Sequence, residues 1–261
     1  MTDLLVRSSH EGGLATLTLD SPHNRNALSA ALIEQLLDGL SRATADDAVR
    51  AIIVTHTGPV FCSGADLKET AAAFLAQDGD ALPASRMGEV LETIWTCPKP
   101  VIARVGGPAR AGGLGVIAAA DIAVCTTAAT FTFSEVRLGV VPAVISATVV
   151  PRLTPRAAAE LFLTGDTFDG ERAAAIGLVT AAVPAEDLDA AVARYAASLL
   201  RGAPGALATA KQLARRRPGA TIGADLAELT AMSVGFFTSD EGREGVASFV
   251  EKRDARWVTP I

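Results

Sequence analysis

Apolar positions change their period several times along the chain, and each change marks an element. In residues 13–20, Ala15, Leu17 and Leu19 alternate with Leu14, Thr16, Thr18 and Asp20, which predicts a half-buried strand. Residues 3–9 predict its partner, with Gly12-Gly13 as the turn. After the polar loop 21–27 a helical period sets in. Leu32, Ile33, Leu36, Leu37 and Leu40 share one face of a helix running to about Arg42, and Ser29 stands at its N-cap position. The run 51–54 is a buried strand, followed by a long turn from Thr55 to Asp66. Met87, Val90, Leu91, Ile94 and Trp95 predict an amphipathic helix over 82–96 that Pro98 and Pro100 terminate.

Next come a strand at 101–105, a glycine-rich turn, an alanine-rich helix at 112–120, a strand at 121–126 and a short strand at 130–133. Strand, turn and helix recur three times by residue 133, which is the pattern of a layered α/β fold. Beyond about residue 185 the pattern is helical only, with segments near 186–201, 204–216, 221–237 and 240–253. Thr238 and Glu241 fit a capping box for the last of them. The Arg-Gly-Ala-Pro-Gly run at 201–205 divides the chain into a 1–200 core and a 201–261 helical region. The segment 67–88, centred on Asp78-Gly79-Asp80, reads as a mobile stretch bordering a pocket.

Composition narrows the function classes. The 261 residues include 23 glycines but only 5% aromatics, so the core is built from aliphatic and small side chains and allows close backbone approach. A net charge of −6 argues against a dedicated nucleic-acid binder, which needs a basic face. It leaves room for a small anionic ligand held by a few local cations. Cys62, Cys97 and Cys125 form no C-x-x-C pair, and His10, His23 and His56 are scattered, so neither a disulfide framework nor a metal site is expected. With no signal-peptide pattern and no membrane-length apolar run, the expected setting is cytoplasmic, with no membrane partner.

Three segments carry candidate chemistry. Phe61-Cys62-Ser63-Gly64-Ala65-Asp66-Leu67-Lys68 passes through a glycine into a helix start, where unpaired backbone N–H groups can meet an anion or a developing oxyanion. The plainer reading makes Asp66 a helix cap and Gly64 a turn. Residues 106–115, Gly-Gly-Pro-Ala-Arg-Ala-Gly-Gly-Leu-Gly, offer a second set of free N–H groups before a helix. Gly113, Gly115 and Ala118 also fit G-x-G-x-x-A, but the strand ends at Val105 and the helix is short for a dinucleotide crossover. In the third segment, 130–142, Glu135 is a carboxylate among apolar residues. Burial would raise its pKa and suit it to proton transfer; the alternative is an ion pair with Arg137 on the same strand face. No G-x-S-x-G and no P-loop occurs.

In this order and spacing the segments resemble the enoyl-CoA hydratase/isomerase (crotonase) superfamily. The resemblance spans nearly the whole chain. It rests on Asn24-Arg25-Asn26-Ala27-Leu28, the segment 61–67, Gly112-Gly113, Ser134-Glu135-Val136-Arg137-Leu138-Gly139, the segment 173–179 and Phe249-Val250-Glu251-Lys252-Arg253. It implies a spiral of repeated ββα units with a C-terminal helical region that mediates trimerisation, trimers often pairing into hexamers. It implies an acyl-CoA thioester as substrate, with coenzyme A as part of the substrate and no separate cofactor. By motif position, the N–H groups of Ala65 and Gly112 hold the thioester oxygen and Glu135 exchanges a proton at C2. Gly64, Asp66 and Ala27 line the same segments, while Arg25, Lys68 and Lys252 match the family's basic residues and could meet phosphates or simply be solvated surface charges.

One departure stands out. Hydratases of the superfamily usually carry a second, water-activating glutamate three residues after the oxyanion-hole glycine, and here that position is Gly115. Three activities stay open. One is a hydratase in which Gly115 leaves room for water or a polar substrate group, similar to the branch acting on methylglutaconyl-CoA. Another is a Δ3,Δ2-enoyl-CoA isomerase that needs only Glu135. The last is a non-catalytic acyl-CoA binder.

Overall fold

The computed structural model describes residues 3–80 and 82–258. Residues 1–2, 81 and 259–261, which include the end of the 201–261 region and one position of the 67–88 segment, lie outside the described residues. The chain opens with β1 (Val6–Glu11) and β2 (Leu14–Leu19), paired antiparallel across the Gly12-Gly13 turn. It continues through α1 (Ala30–Ala45), β3 (Ala51–His56), α2 (Leu67–Ala76), α3 (Met87–Thr96), β4 (Val101–Val105), β5 (Ala109–Arg110) and α4 (Gly112–Ala119). Next are β6 (Ile122–Thr126), β7 (Thr130–Thr132), α5 (Ala143–Val149), α6 (Pro155–Thr164), β8 (Phe168–Asp169), α7 (Gly170–Ala175) and β9 (Ala181–Val183). Four helices close the chain: α8 (Leu188–Leu200), α9 (Pro204–Ala214), α10 (Ile222–Thr238) and α11 (Asp240–Glu251).

The main sheet has the order β1-β2-β3-β4-β6-β9, and every pair after β1-β2 is parallel. A small second sheet, β5-β7-β8, lies beside it. The alternation in β2 buries Ala15, Leu17 and Leu19 against Leu32, Ile33, Leu36 and Leu40 of α1, in one continuous core that also takes Val101, Ala103 and Val105 of β4. The other face of the sheet, with Ile102 and Val124, is covered by Leu188, Ala191, Val192 and Ala196 of α8. Parallel strands buried on both faces explain why the β3 and β4 sequences read as continuous apolar runs.

Several expectations change. Ser29 caps α1 as expected, its side chain accepting from Leu32 N–H. The segment 67–88 carries regular structure: Asp66 caps α2, and a 3-10 turn at Pro83–Arg86 precedes α3, so the helix expected from 82 begins at Met87. Arg137 does not share a strand face with Glu135. Residues Glu135–Leu138 form a 3-10 turn, and Arg137 pairs with Asp166 at 2.5 Å. The cap of α11 is Ser239, not Thr238: Ser239 accepts from Gly242 N–H, while the Thr238 hydroxyl donates back to Val234 C=O, and Glu241 instead accepts from the N–H groups of Gly205 and Ala206. Among the described residues no helix is long and apolar enough to cross a membrane, and no cluster of three metal-ligating side chains occurs.

Candidate active site

Four stretches of irregular chain are woven together at the carboxyl ends of the strands. Leu28 bridges Ala65, Cys62 bridges Ala109, and Arg110 pairs with Thr132 of β7, so one line of parallel pairings joins loops that are distant in sequence. Along it Leu28 N–H donates to Gly64 C=O at 2.8 Å, Arg110 N–H to Cys62 C=O at 2.9 Å, and Ala111 N–H to Thr132 C=O at 3.2 Å. Asn26 anchors the first loop. It is fully buried, accepts from Ser21 N–H through its side chain, and donates to Thr57 and Val60 C=O. Asn26 lies within the motif at 24–28, whose residue pattern alone gives no sign of this anchoring role.

This weave presents two backbone N–H groups. Among the described residues, neither Ala65 N–H nor Gly112 N–H meets an acceptor. Gly112 is the first residue of α4, whose initial N–H groups have no intrahelical partner. Leu28 ties the two positions together: its backbone bridges Ala65, and its Cδ1 would lie 2.8 Å from a Cβ at Gly112. The glycines here are demanded first by packing. Gly64 sits at φ +91°, where an L side chain is strained, and a Cβ on it would meet Ala111 Cβ at 3.0 Å. A Cβ on Gly113 would meet Cys62 Cβ at 2.8 Å. Ala111, the N-cap of α4, is held at φ 46°, a costly conformation for a residue other than glycine.

Glu135 leaves β7 three residues after Thr132, the residue bonded to Ala111, so the carboxylate-bearing turn and the start of α4 diverge from one hydrogen bond. It is 9% exposed, and its Oε2 is buried with no hydrogen-bond partner among the described residues. Burial pushes its carboxyl above the ordinary carboxylate range, opposed by a hydrogen bond to its own backbone N–H.

Gly115 does not leave a space. A Cβ there would lie 2.7 Å from Ile145 Cγ2 and 3.2 Å from Leu91 Cδ2. The room expected for water or a polar group is filled from α5 and α3, and this wall is apolar. Of the remaining candidates, Asp66 caps α2, accepting from Lys68 and Glu69 N–H at 2.8 and 3.2 Å. Ala27 is buried, with its N–H donating to Asn24 and its C=O accepting from Ser29. Arg25 is exposed on the loop before Asn26, its C=O accepting from Ser63 N–H, Lys68 is exposed in the first turn of α2, and neither has an ion-pair partner among the described residues. Lys252 shares no contact with these segments among the described residues. It ends α11 on the stretch leading to Trp257, whose C=O accepts from Arg50 at the opposite, amino end of β3.

Comparison with known proteins agrees with this architecture. The model of the family described as enoyl-CoA hydratase/isomerase matches residues 9–260. The mouse (Mus musculus) enoyl-CoA hydratase domain-containing protein 3, mitochondrial, is 32% identical over 97% of this chain and 84% of its own length. A crystal structure of an enoyl-CoA hydratase from Mycobacterium avium is 42% identical, covers 98% of this chain and 100% of that one, and superposes with a TM-score of 0.72. One of an enoyl-CoA hydratase from Shewanella pealeana is 29% identical, covers 97% and 96%, and superposes with a TM-score of 0.91. A crotonase-type α/β fold and a family match across almost the whole chain lead to one conclusion: the protein belongs to the enoyl-CoA hydratase/isomerase family.

Proposed function

We propose that the protein is an enoyl-CoA hydratase that works with a single glutamate. The thioester oxygen lies between Ala65 and Gly112 N–H, and Glu135 handles the proton at C2. The observation that carries this reading is the pairing of two acceptor-free N–H groups with a buried, unpartnered carboxyl on one woven segment. Addition to a 2-enoyl thioester passes through an enolate, and preorganised donors stabilise the charge where it forms, each worth about 3 kcal/mol. A carboxyl with a raised pKa suits reversible proton exchange near neutrality. The enoyl-CoA hydratase names of the M. avium and S. pealeana structures support hydration. A glutaconyl-type substrate would bring its own carboxylate in place of the missing protein acid, but the apolar wall of Ile145 and Leu91 beside Gly115 offers it no polar partner there. The reaction needs no resident cofactor.

One observation favours a second reading, Δ3,Δ2-isomerisation. With Ile145 and Leu91 filling the space beside Gly115, the wall that would hold a second acid is apolar, and one base moving a proton from C2 to C4 is sufficient. Incubation with 2-enoyl-, 3-enoyl- and 3-methylglutaconyl-CoA, following loss or gain of conjugation, separates the readings. Hydration of a 2-enoyl substrate supports the first. Isomerisation of the 3-enoyl substrate without hydration of any replaces it with the second. Binding of all three without turnover leaves a non-catalytic acyl-CoA binder.

Arg25 and Lys68, exposed beside the site, are proposed to meet the phosphates of coenzyme A. The helical region from 201 is proposed to assemble the chain into a homotrimer, alone or paired as a hexamer, because Ile222, Leu226, Val234, Phe237, Phe249 and Val250 stand exposed on α10 and α11. A cytoplasmic setting fits the three unpaired, buried cysteines.

A further inference from the structure

Behind α4, at the end opposite Gly112, lies a buried cluster of charge that the proposed reaction does not use. Arg152 donates through Nε to Ala118 C=O at 3.0 Å and through Nη2 to Ala120 C=O at 2.9 Å. Arg215, which follows α9, donates to Ala119 C=O at 3.0 Å, to Asp121 at 2.7 Å, and to Trp95 C=O. Both guanidiniums stack on the Trp95 ring, at 5.1 and 3.9 Å from its centroid. Lys211 of α9 bonds Asp121 at 2.8 Å and donates to Ile94 C=O at 3.2 Å. Asp121 also accepts from Val101 N–H at 2.8 Å.

Three cations therefore face one carboxylate. The cluster is not a balanced ion pair, and what offsets the excess is the set of free carbonyls at the ends of α3 and α4. These two helices also build the candidate site: α4 begins with Gly112, and α3 lays Met87 against Gly112 and Leu91 against Gly115. The side chains of Arg152 and Arg215 thus hold the far ends of the helices whose near ends shape the thioester site.

We propose that Arg152 and Arg215 are positioning residues for the Gly112 N–H: they fix α4 by its last three free carbonyls and keep two permanent positive charges behind the site. The inference rests on the reading of Ala65 and Gly112 as the thioester-oxygen site. Arginine stays protonated even when buried, so these charges are constant with pH. Eight helical residues span about 12 Å. Adding the hydrogen bond at each end puts guanidinium and oxyanion about 18 Å apart, and at an effective dielectric of about 20 one charge at that distance changes the stability of an oxyanion by roughly fivefold.

The test combines kinetics with the carbonyl stretch of bound 2-butenoyl-CoA, recorded by difference infrared spectroscopy in a Glu135→Gln background that holds the thioester unreacted. Arg152→Met and Arg215→Met are each expected to lower kcat about fivefold with KM within about twofold, and to reduce the red shift of the carbonyl. Arg215→Lys keeps the charge and should recover most of both. Asp121→Asn removes the negative charge and should deepen the red shift, an opposite sign that damaged packing cannot produce, and it carries the test if a methionine variant does not fold. A red shift in the parent protein that no variant alters would overturn the inference while leaving the thioester site intact. No red shift in the parent protein would remove the site reading itself, and the inference with it.

Discussion

Gly115 and Ile145 share one space: a Cβ on the glycine would lie 2.7 Å from Cγ2 of the isoleucine, with Leu91 Cδ2 at 3.2 Å completing the contact. Gly115→Ala should therefore cost about 1–3 kcal/mol by overpacking. Ile145→Ala in the same chain should return part of that cost, so the two changes will be non-additive. Urea denaturation of the single and double variants measures this, and additive losses would show that the two side chains do not compete. The same pairing predicts that Gly115→Glu alone adds no hydratase activity, because the new side chain has no room to enter the pocket.

Glu135 should reveal itself through pH as well as through activity. Glu135→Gln is expected to abolish turnover, and retained activity would mean that another base acts. Its folded pKa is raised, so the folded state holds this proton more tightly than the unfolded chain does. The associated stability is present at low pH and is lost as pH rises from the ordinary carboxylate range through the raised value. Glu135→Gln should thus match or exceed the parent in thermal stability at neutral pH, with the gain vanishing in acid. A variant that is less stable at neutral pH would assign the carboxylate a structural bond absent here.

Asn26 offers a prediction about architecture. Its side chain satisfies Ser21 N–H and the C=O groups of Thr57 and Val60 in a fully buried setting. Asn26→Ala should cost about 2–4 kcal/mol, because removing one partner strands several others. Asn26→Asp keeps the shape but turns a carboxylate oxygen toward the C=O groups of Thr57 and Val60 in a fully buried setting, so it should cost at least as much as alanine. Loss of acyl-CoA affinity is expected alongside, since this loop carries Leu28 against both Ala65 and Gly112.

Ala111 makes a prediction of the opposite sign. Held at φ 46°, it pays a conformational penalty that glycine would not. Ala111→Gly should stabilise the fold by about 1 kcal/mol, read as a higher denaturation midpoint. A destabilised variant would show that contact of its Cβ with the Gly64 backbone outweighs the strain.

What the sequence disclosed follows the range of the interactions. Ser29 as a cap, the alternation of β2 and the stripe on α1 are local patterns, and each stands where the periodicity places it. The start of α2 is legible in the sequence but its extent is not, because its only buried residue is Ala73 while Leu67, Phe74 and Leu75 face outward, so no apolar stripe marks it. The cap Asp66 was its visible signal. Arg137 was misassigned because its partner Asp166 lies 29 residues away, beyond any local rule. The loss of a glutamate at Gly115 was legible at once. That Ile145, thirty positions further on, fills the same space was not, because only the packing of α5 on α4 brings them together.

A thiol beside a thioester is ordinarily a hazard, since acyl transfer to sulfur would leave the protein covalently loaded with its own ligand. Cys62 lies directly under the start of α4, its Sγ 3.4 Å from Gly64 N–H. Yet burial raises its pKa to about 12, and its surface is closed by the backbone of Gly113 and the loop around Gly64. The close glycine packing around the two N–H donors also keeps this sulfur neutral and out of reach, so under the proposed function a bound thioester is guarded from self-acylation by those same few atoms.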